Sequence, residues 1–275
     1  MSNADRSQYA EAVTRLSEGE LSDVLTTAEP PICLLGGWAV HLHVTDGFRD
    51  AYDRPYIGSR DIDLGVHVDP GWSREDLAAS AVAKTLDRIE ADLGYRRGRF
   101  GFYQEFHRET GARLDDEAAR GAPPHTVFRL DIDIMPDTTD LEAFERAFGF
   151  RPPAEPLLES VFTGDAGDPL AEYVDWDVPT SVRIAPAALL GAMKVRAAPQ
   201  RDEGHKLLKD LADLHALLWY VTDYDEIRMG VRERLPDEDL SHLASITTDG
   251  VYERSARLID VDPAIVRQSI EGVFT

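Results

Sequence analysis

The sequence predicts an α+β chain: a mixed sheet flanked by helices over residues 1–185, then an all-helical region over 186–275. Three observations predict it. Apolar runs of strand length alternate with segments of helical spacing as far as Ala185. Two of those runs, "DIDLGV" and "LDIDIM", alternate acidic with apolar residues at period two. From Pro186 onward the spacing is almost continuously helical.

Taken in order, residues 5–18 have helical spacing that runs out at "SEGE". "PICLLGG" is a short apolar strand ending in two glycines, and "GWAVHLHV" returns to helical spacing at Trp38, Leu42 and Val44. "DGFRDAYDRPYIGS" is a polar loop, and "DIDLGVHV" the next strand. Residues 74–93 form one helix with Leu77, Ala81, Leu86, Ile89 and Leu93 as its inner face. "FGFYQEFHRE" and "TVFRLDIDIM" are strands joined by a long loop, and 140–148 is a short helix. "EYVDWDV" and "TSVRIA" form a late hairpin about Pro179. Helices follow at 187–198 and 203–220, with shorter ones to the end.

The 275 residues are 43% hydrophobic, enough for a core, and no apolar run approaches the ~18 residues that a membrane span needs. The first residues contain no apolar segment of the kind a secretory signal has, so a cytoplasmic protein is expected. The single cysteine, Cys33 in "ICLLGG", excludes an internal disulfide and a cysteine-based zinc cluster, and reads as a small buried hydrophobe. Net charge is −22, from 51 acidic and 29 basic residues, and the only lysines are Lys84, Lys194, Lys206 and Lys209. Such an acidic, arginine-over-lysine composition fits a salt-rich cytoplasm, where the Debye length falls to ~3 Å at 1 M salt. A halophilic source, an archaeon, is expected. An acidic surface normally argues against nucleic-acid binding, but in a halophile it is a background property.

The carboxylate pairs carry the chemistry. On a strand, residues i and i+2 point the same way, so Asp61 and Asp63 project together while Ile62 and Leu64 face the core. Asp131 and Asp133 repeat the pattern. Paired carboxylates repel unless they are solvated or share a cation; a hard divalent ion such as Mg²⁺ is the usual solution. Two acidic strands facing one another could hold two metals and a nucleotide triphosphate. The alternative is a pair of exposed edge-strand faces on an acid-rich protein. Gly36 and Gly37 end a strand and open a helix, where glycine permits positive φ and the helix N-terminus offers N–H groups to a phosphate; an ordinary tight turn would look the same. Lys194 sits in the largely apolar "ALLGAMKV", where a lysine either snorkels or finds an anionic partner. Asp210 on the next helix is a candidate partner, or else part of a solvated acidic face with Asp213.

These residues, "LLGGWAVHLH", "GSRDIDLGV" and "LDIDIM", resemble the nucleotidyltransferase superfamily of the polymerase-β type. "LLGAMKVRAAPQRDEGHKLLKDLADLHALL" further resembles the abortive-infection (AbiEii-like, MenT-type) toxin nucleotidyltransferases. The resemblance covers roughly residues 32–66, 127–136 and 187–220. It implies a polymerase-β-type sheet over 1–185 and a helical C-terminal domain over 186–275. It makes Gly36 and Gly37 the phosphate-facing turn, Ser59 the hydroxyl residue before the first acid, and Asp61 and Asp63 the metal pair. The third carboxylate is Asp131 or Asp133, with Asp133 preferred. Lys194 becomes the phosphate-binding lysine and Asp210 its orienting acid. The implied cofactor is Mg²⁺ or Mn²⁺. The implied activity is transfer of an NMP, or a short nucleotide tail, from an NTP to tRNA, a protein or a small molecule, with an antitoxin protein as a possible partner. A non-catalytic nucleotide- or partner-binding member of the same fold is the alternative.

Other polar residues are expected to be structural. His41 and His43, at i and i+2 on a helix, fall on different faces. His67 and His125 have no partner at ligand spacing. Trp38 is expected in the core. Arg129 is expected to face away from Asp131 and Asp133.

Overall fold

A computed structural model describes residues 9, 11–164, 166–202 and 204–275. The chain divides into two compact units, a sheet unit of Tyr9–Trp38 and Gly58–Ala185 and a helical unit whose described residues are Ala39–Ile57 and those of Pro186–Thr275.

The sheet unit is built on a mixed, open sheet. In chain order its strands are β1 (Ile32–Leu35), β2 (Ile62–Val66), β3 (Arg96–Arg97), β4 (Gly101–His107), β5 (Arg113–Leu114), β6 (Val127–Pro136), β7 (Asp168–Pro169) and β8 (Val182–Ile184). Their spatial order is β3-β4-β6-β2-β1-β8-β7, with β5 paired to β4. β1 runs antiparallel to β2 and parallel to β8, and all four of its side chains are buried. That explains why "ICLL" is an unbroken apolar run: a strand covered on both faces has no polar positions. β6 shows the opposite pattern. Phe128, Leu130, Ile132 and Ile134 are fully buried, while the odd-numbered positions between them are not. One face of β6 therefore belongs to the core and the other carries its polar chemistry.

The helices of this unit differ from their sequence expectations in instructive ways. α1 (Glu11–Thr27) does not stop at "SEGE"; Val13, Ser17, Leu21, Val24 and Leu25 continue a buried stripe through it, and Trp38 Nε1 donates to Ser17 Oγ at 2.8 Å. Residues 5–8 and 10 of the expected helix lie outside the described residues. The expected helix over 74–93 is two, α3 (Arg74–Ala79) and α4 (Ala81–Ala91). Ser80 divides them: its extended backbone ends α3, and its hydroxyl accepts from Ala83 N to cap α4. The long loop between β4 and β6 contains β5 and a short helix, α5 (Asp116–Gly121). α6 (Glu142–Phe148) and α7 (Glu159–Thr163) follow. The late hairpin about Pro179 does not form. β8 pairs instead with β7 and with β1, because its Val182 and Ile184 complete the buried side of β1.

α2 (Gly36–Tyr52) starts directly after β1. It runs through "DGFRDAY", which the polar composition marked as loop; Val44 and Phe48, one turn apart, are fully buried. The rest of the helical unit is α8 (Ala187–Ala197), α9 (Gly204–Tyr220), α10 (Tyr224–Glu233), α11 (Asp237–Ile246), α12 (Asp249–Ile259) and α13 (Pro263–Phe274). α9 is its axis, buried from Leu208 to Leu218 and packed against α8, α12 and α13. Phe48 meets Tyr56 and Tyr220 edge-on at 5.2 and 5.1 Å. Gly47 permits this approach: a Cβ there would stand 2.2 Å from the Tyr220 carbonyl oxygen.

Candidate functional site

Asp63, Asp131 and Asp133, three of the acids expected to cooperate, lie on one face of the sheet unit. β2 and β6 are parallel neighbours, and their register sets Asp63 beside Asp133. Register partners on adjacent strands lie about 4.8 Å apart and point to the same face. The same row continues to Leu35 of β1 on one side and Gly101 of β4 on the other. Asp61 lies just ahead of β2, two residues from Asp63, and all three carboxylates are half-buried.

The β1–α2 turn closes one flank of this row. Gly36 has φ +64°, and a Cβ built on it would stand 1.7 Å from Asp63 Oδ2. The Asp63 carboxylate therefore rests directly on the Gly36 backbone, in space that any other residue would fill. Gly37 follows within the first turn of α2, and Trp38 is core, 2% exposed. Ser59 is buried in the segment leading into β2.

Asp131 pairs with Arg129. Arg129 Nε and its terminal nitrogen both reach Asp131 Oδ1, at 2.9 and 2.8 Å. This corrects the expectation that Arg129 faces away from the acids. Residue 129 is two positions before 131, so strand parity puts both on one face. Arg129 also stacks over Tyr103, 3.9 Å from guanidinium carbon to ring centroid, and Tyr103 is the register partner of Asp131.

Among the described residues, no group of three or more His, Cys, Asp or Glu side chains is arranged to enclose a metal ion. Mg²⁺ does not ask for such a cage. It keeps several waters and is usually bound through one or two carboxylates together with substrate phosphates. Asp63 and Asp133, hard oxygen donors side by side with Asp61 two residues away, are a donor set of that kind.

Lys194 and Asp210 belong to the helical unit, where they sit in a buried charge cluster. Lys194 Nζ lies 2.7 Å from Asp210 Oδ1 and 2.8 Å from Asp213 Oδ2. Asp210 Oδ2 accepts from Arg201 Nε at 2.6 Å. Asp213 Oδ1 accepts from Tyr56 Oη at 2.9 Å and from Lys209 Nζ. Burial alone would push the Lys194 ammonium down, but Asp210 and Asp213 outweigh it and hold its pKa above the usual range. Burial would raise Asp210, but Lys194 and Arg201 hold it below the usual carboxylate range. Lys209 goes the other way: burial outweighs the attraction of Asp213, and Lys194 adds repulsion, so its pKa is lowered. His41 is pushed down to about 4, first by burial and then by Lys209. Lys194 thus does not snorkel, and Asp210 and Asp213 are not a solvated face; they are 2% and 0% exposed. Lys209 and Tyr56 were missed from the sequence. The i, i+4 spacing of Lys209 and Asp213 was the available signal; Tyr56 had none.

His67 is also not alone. Its Nδ1 lies 2.6 Å from Asp137 Oδ2, and Asp137 Oδ1 accepts from Val68 N at 2.9 Å. The parallel pairing of β2 with β6 carries both residues past the same end of the sheet, which spacing along the chain does not reveal. Cys33 is fully buried, and burial pushes its thiol pKa up beyond any reactive range.

No helix among the described residues is long and apolar enough to cross a membrane. Compared with protein-family models, curated proteins and solved structures, the chain has no match.

Proposed function

We propose that the chain is a nucleotidyltransferase with a polymerase-β-type sheet, moving an NMP or a short nucleotide tail from an NTP to an acceptor hydroxyl. The observation that carries this reading is the parallel register of Asp63 with Asp133, with the Asp63 carboxylate seated on Gly36 at a strand-to-helix turn. Two adjacent carboxylates repel, and the sheet holds them together at a turn whose backbone can approach a phosphate.

In this reading Asp63 and Asp133 hold a divalent ion with Asp61 beside them. Bound there, Mg²⁺ or Mn²⁺ would supply charge neutralisation at the triphosphate and would lower the pKa of the attacking hydroxyl. Gly36 and Gly37 face the phosphates with backbone N–H groups, and Ser59 donates its hydroxyl. The acceptor oxygen forms a bond to the α-phosphorus as the bond to pyrophosphate breaks. A carboxylate oxygen of Asp133 takes the hydroxyl proton. Asp133 is preferred over Asp131 as the third carboxylate because it is the register partner of Asp63 on the neighbouring strand. The phosphate-lysine and orienting-acid roles that the resemblance implies for Lys194 and Asp210 are not carried into this reading, because both side chains are committed to the buried cluster of the helical unit.

The acceptor remains one of three classes, tRNA, protein or a small molecule such as an aminoglycoside, and an antitoxin would be the regulatory partner. The direct experiment incubates the protein with labelled NTPs and Mg²⁺ in high KCl against each acceptor class. Label transferred to one class by the wild type and lost in Asp63→Asn supports the proposal. Transfer at the wild-type rate by Asp63→Asn ends it.

A further inference from the structure

Beside the carboxylate row, β3, β4 and β6 hold a tyrosine against two arginines. Tyr103 of β4 has Asp131 of β6 as its register partner on one side and Arg96 of β3 on the other. Asp133 pairs with Gly101, so Tyr103 is its diagonal neighbour. Diagonal positions on one face of an antiparallel pair lie about 7–8 Å apart, within reach of an aromatic side chain. Two contacts place the ring on the acid face. The Arg129 guanidinium, ion-paired with Asp131, lies 3.9 Å from the Tyr103 ring centroid, and that of Arg96 lies 4.6 Å from it. Gly101, across from Asp133 and two residues before Tyr103, adds no side chain there.

The ring is held and the hydroxyl is not. Both guanidiniums are themselves anchored, Arg96 by Glu105 and Asp116, and Arg129 by Asp131. Tyr103 is half-exposed, and among the described residues its Oη makes no hydrogen bond. Tyr95 and Tyr173 of the same unit differ: their hydroxyls donate to Glu20 and Asp168, at 2.8 and 2.9 Å. A phenol fixed through its ring and open at its oxygen, next to the acids, meets the positional requirement of an acceptor hydroxyl. It also needs no docking of a second molecule, which favours it over a dissolved acceptor.

We infer that Tyr103 Oη is itself an acceptor, so that the chain transfers an NMP to its own Tyr103. The inference rests on the nucleotidyltransferase reading and names one hydroxyl within its protein class of acceptor. A lone pair of Oη forms a bond to the α-phosphorus of the NTP. The bond from that phosphorus to the oxygen bridging the α- and β-phosphates breaks, and its electrons leave with pyrophosphate. The phenolic proton passes to the Asp133 carboxylate. The product joins Tyr103 to the nucleotide through a phosphodiester, whose single negative charge lies beside the Arg96 and Arg129 guanidiniums.

The test incubates the full chain with each NTP, labelled at the α-phosphate, and Mg²⁺ in high KCl, first with no other acceptor and then with tRNA, protein or an aminoglycoside added. Intact mass and mapping of the labelled peptide are read for wild type, Tyr103→Phe and Asp63→Asn. The expected result is a gain of one NMP per chain on the peptide holding Tyr103, at a rate per chain that dilution does not change. The label is lost in Asp63→Asn. It is also lost in Tyr103→Phe, which keeps the wild-type melting temperature because the missing oxygen has no partner in the fold. Label on an added acceptor or on another residue, with none on Tyr103, overturns this inference and leaves the proposed activity standing. So does label on Tyr103 whose rate per chain falls on dilution, which places the transfer between molecules. No label on any acceptor, or label on Tyr103 that persists in Asp63→Asn, overturns the inference together with the reading it rests on.

Discussion

The helical unit and the sheet unit handle buried charge in opposite ways. In the helical unit, Lys194, Lys209 and Arg201 surround Asp210 and Asp213, and each contact joins unlike charges. In the sheet unit, like charges are neighbours. Asp63 stands beside Asp133 on one face, half-buried, against the backbone turn at Gly36. A closed cluster of unlike charges acts on stability, while carboxylates on a half-buried face are the groups that the proposed function uses.

Breaking the closed cluster has the largest expected effect. Lys194→Met leaves Asp210 and Asp213 short of a partner in a dry site and costs about 3–5 kcal/mol of stability, read from urea unfolding. A loss below 1 kcal/mol would mean that the cluster is open to water and the comparison is mistaken.

Acid sharpens the contrast next. His215 on α9 is fully buried, with Nδ1 2.7 Å from Ser269 Oγ, and burial pushes its pKa down to about 4. Unfolded, it titrates near 6.5. Between those values the folded state binds fewer protons, so stability falls as pH drops from about 6.5 toward 4, by up to about 3 kcal/mol. Asp210, with its pKa depressed, adds a further loss as pH falls below the ordinary carboxylate range. His41 contributes in the same window, so His215→Phe should remove about half of the first part of that profile and leave the second. An unchanged slope would contradict the assignment.

Smaller effects test the open site. Gly36→Ala forces a Cβ into the Asp63 carboxylate at positive φ, at a cost of about 1–2 kcal/mol from the backbone alone. It should also displace Asp63 and weaken Mg²⁺-dependent NTP binding. Asp63→Asn removes one of two facing like charges, and apo stability is expected to stay level or rise slightly. A clear loss would show that Asp63 belongs to a closed network like that of Asp213.

Strand parity made much of the sheet unit legible. Alternation along "DIDLGV" and "LDIDIM" gave the buried Ile62, Leu64 and Ile132 and the common face of the acids. Parity also gave Arg129 its true face, had the count begun two residues before Asp131. Other features were set by packing. α1 and α2 run on through polar stretches because residues one turn apart, such as Val44 and Phe48, are buried. β8 abandons its expected hairpin because β1 offers a longer apolar edge. Pairings across elements, Tyr56 with Asp213 and His67 with Asp137, leave no mark in local spacing. Lys194 was legible as an anomaly, a lysine in an apolar helix, but its second partner, Asp213, came from the fold.

The central claim is that the Asp63–Asp133 face is completed by a divalent cation and a nucleotide triphosphate. The most direct measurement is calorimetric titration of a non-hydrolysable NTP into wild type and Asp63→Asn, with and without Mg²⁺, in high KCl, with melting temperature recorded for both proteins. The account predicts Mg²⁺-dependent binding to the wild type, its loss in Asp63→Asn, and a melting temperature that does not fall. Equal binding by the two proteins, or wild-type binding indifferent to Mg²⁺, would contradict it.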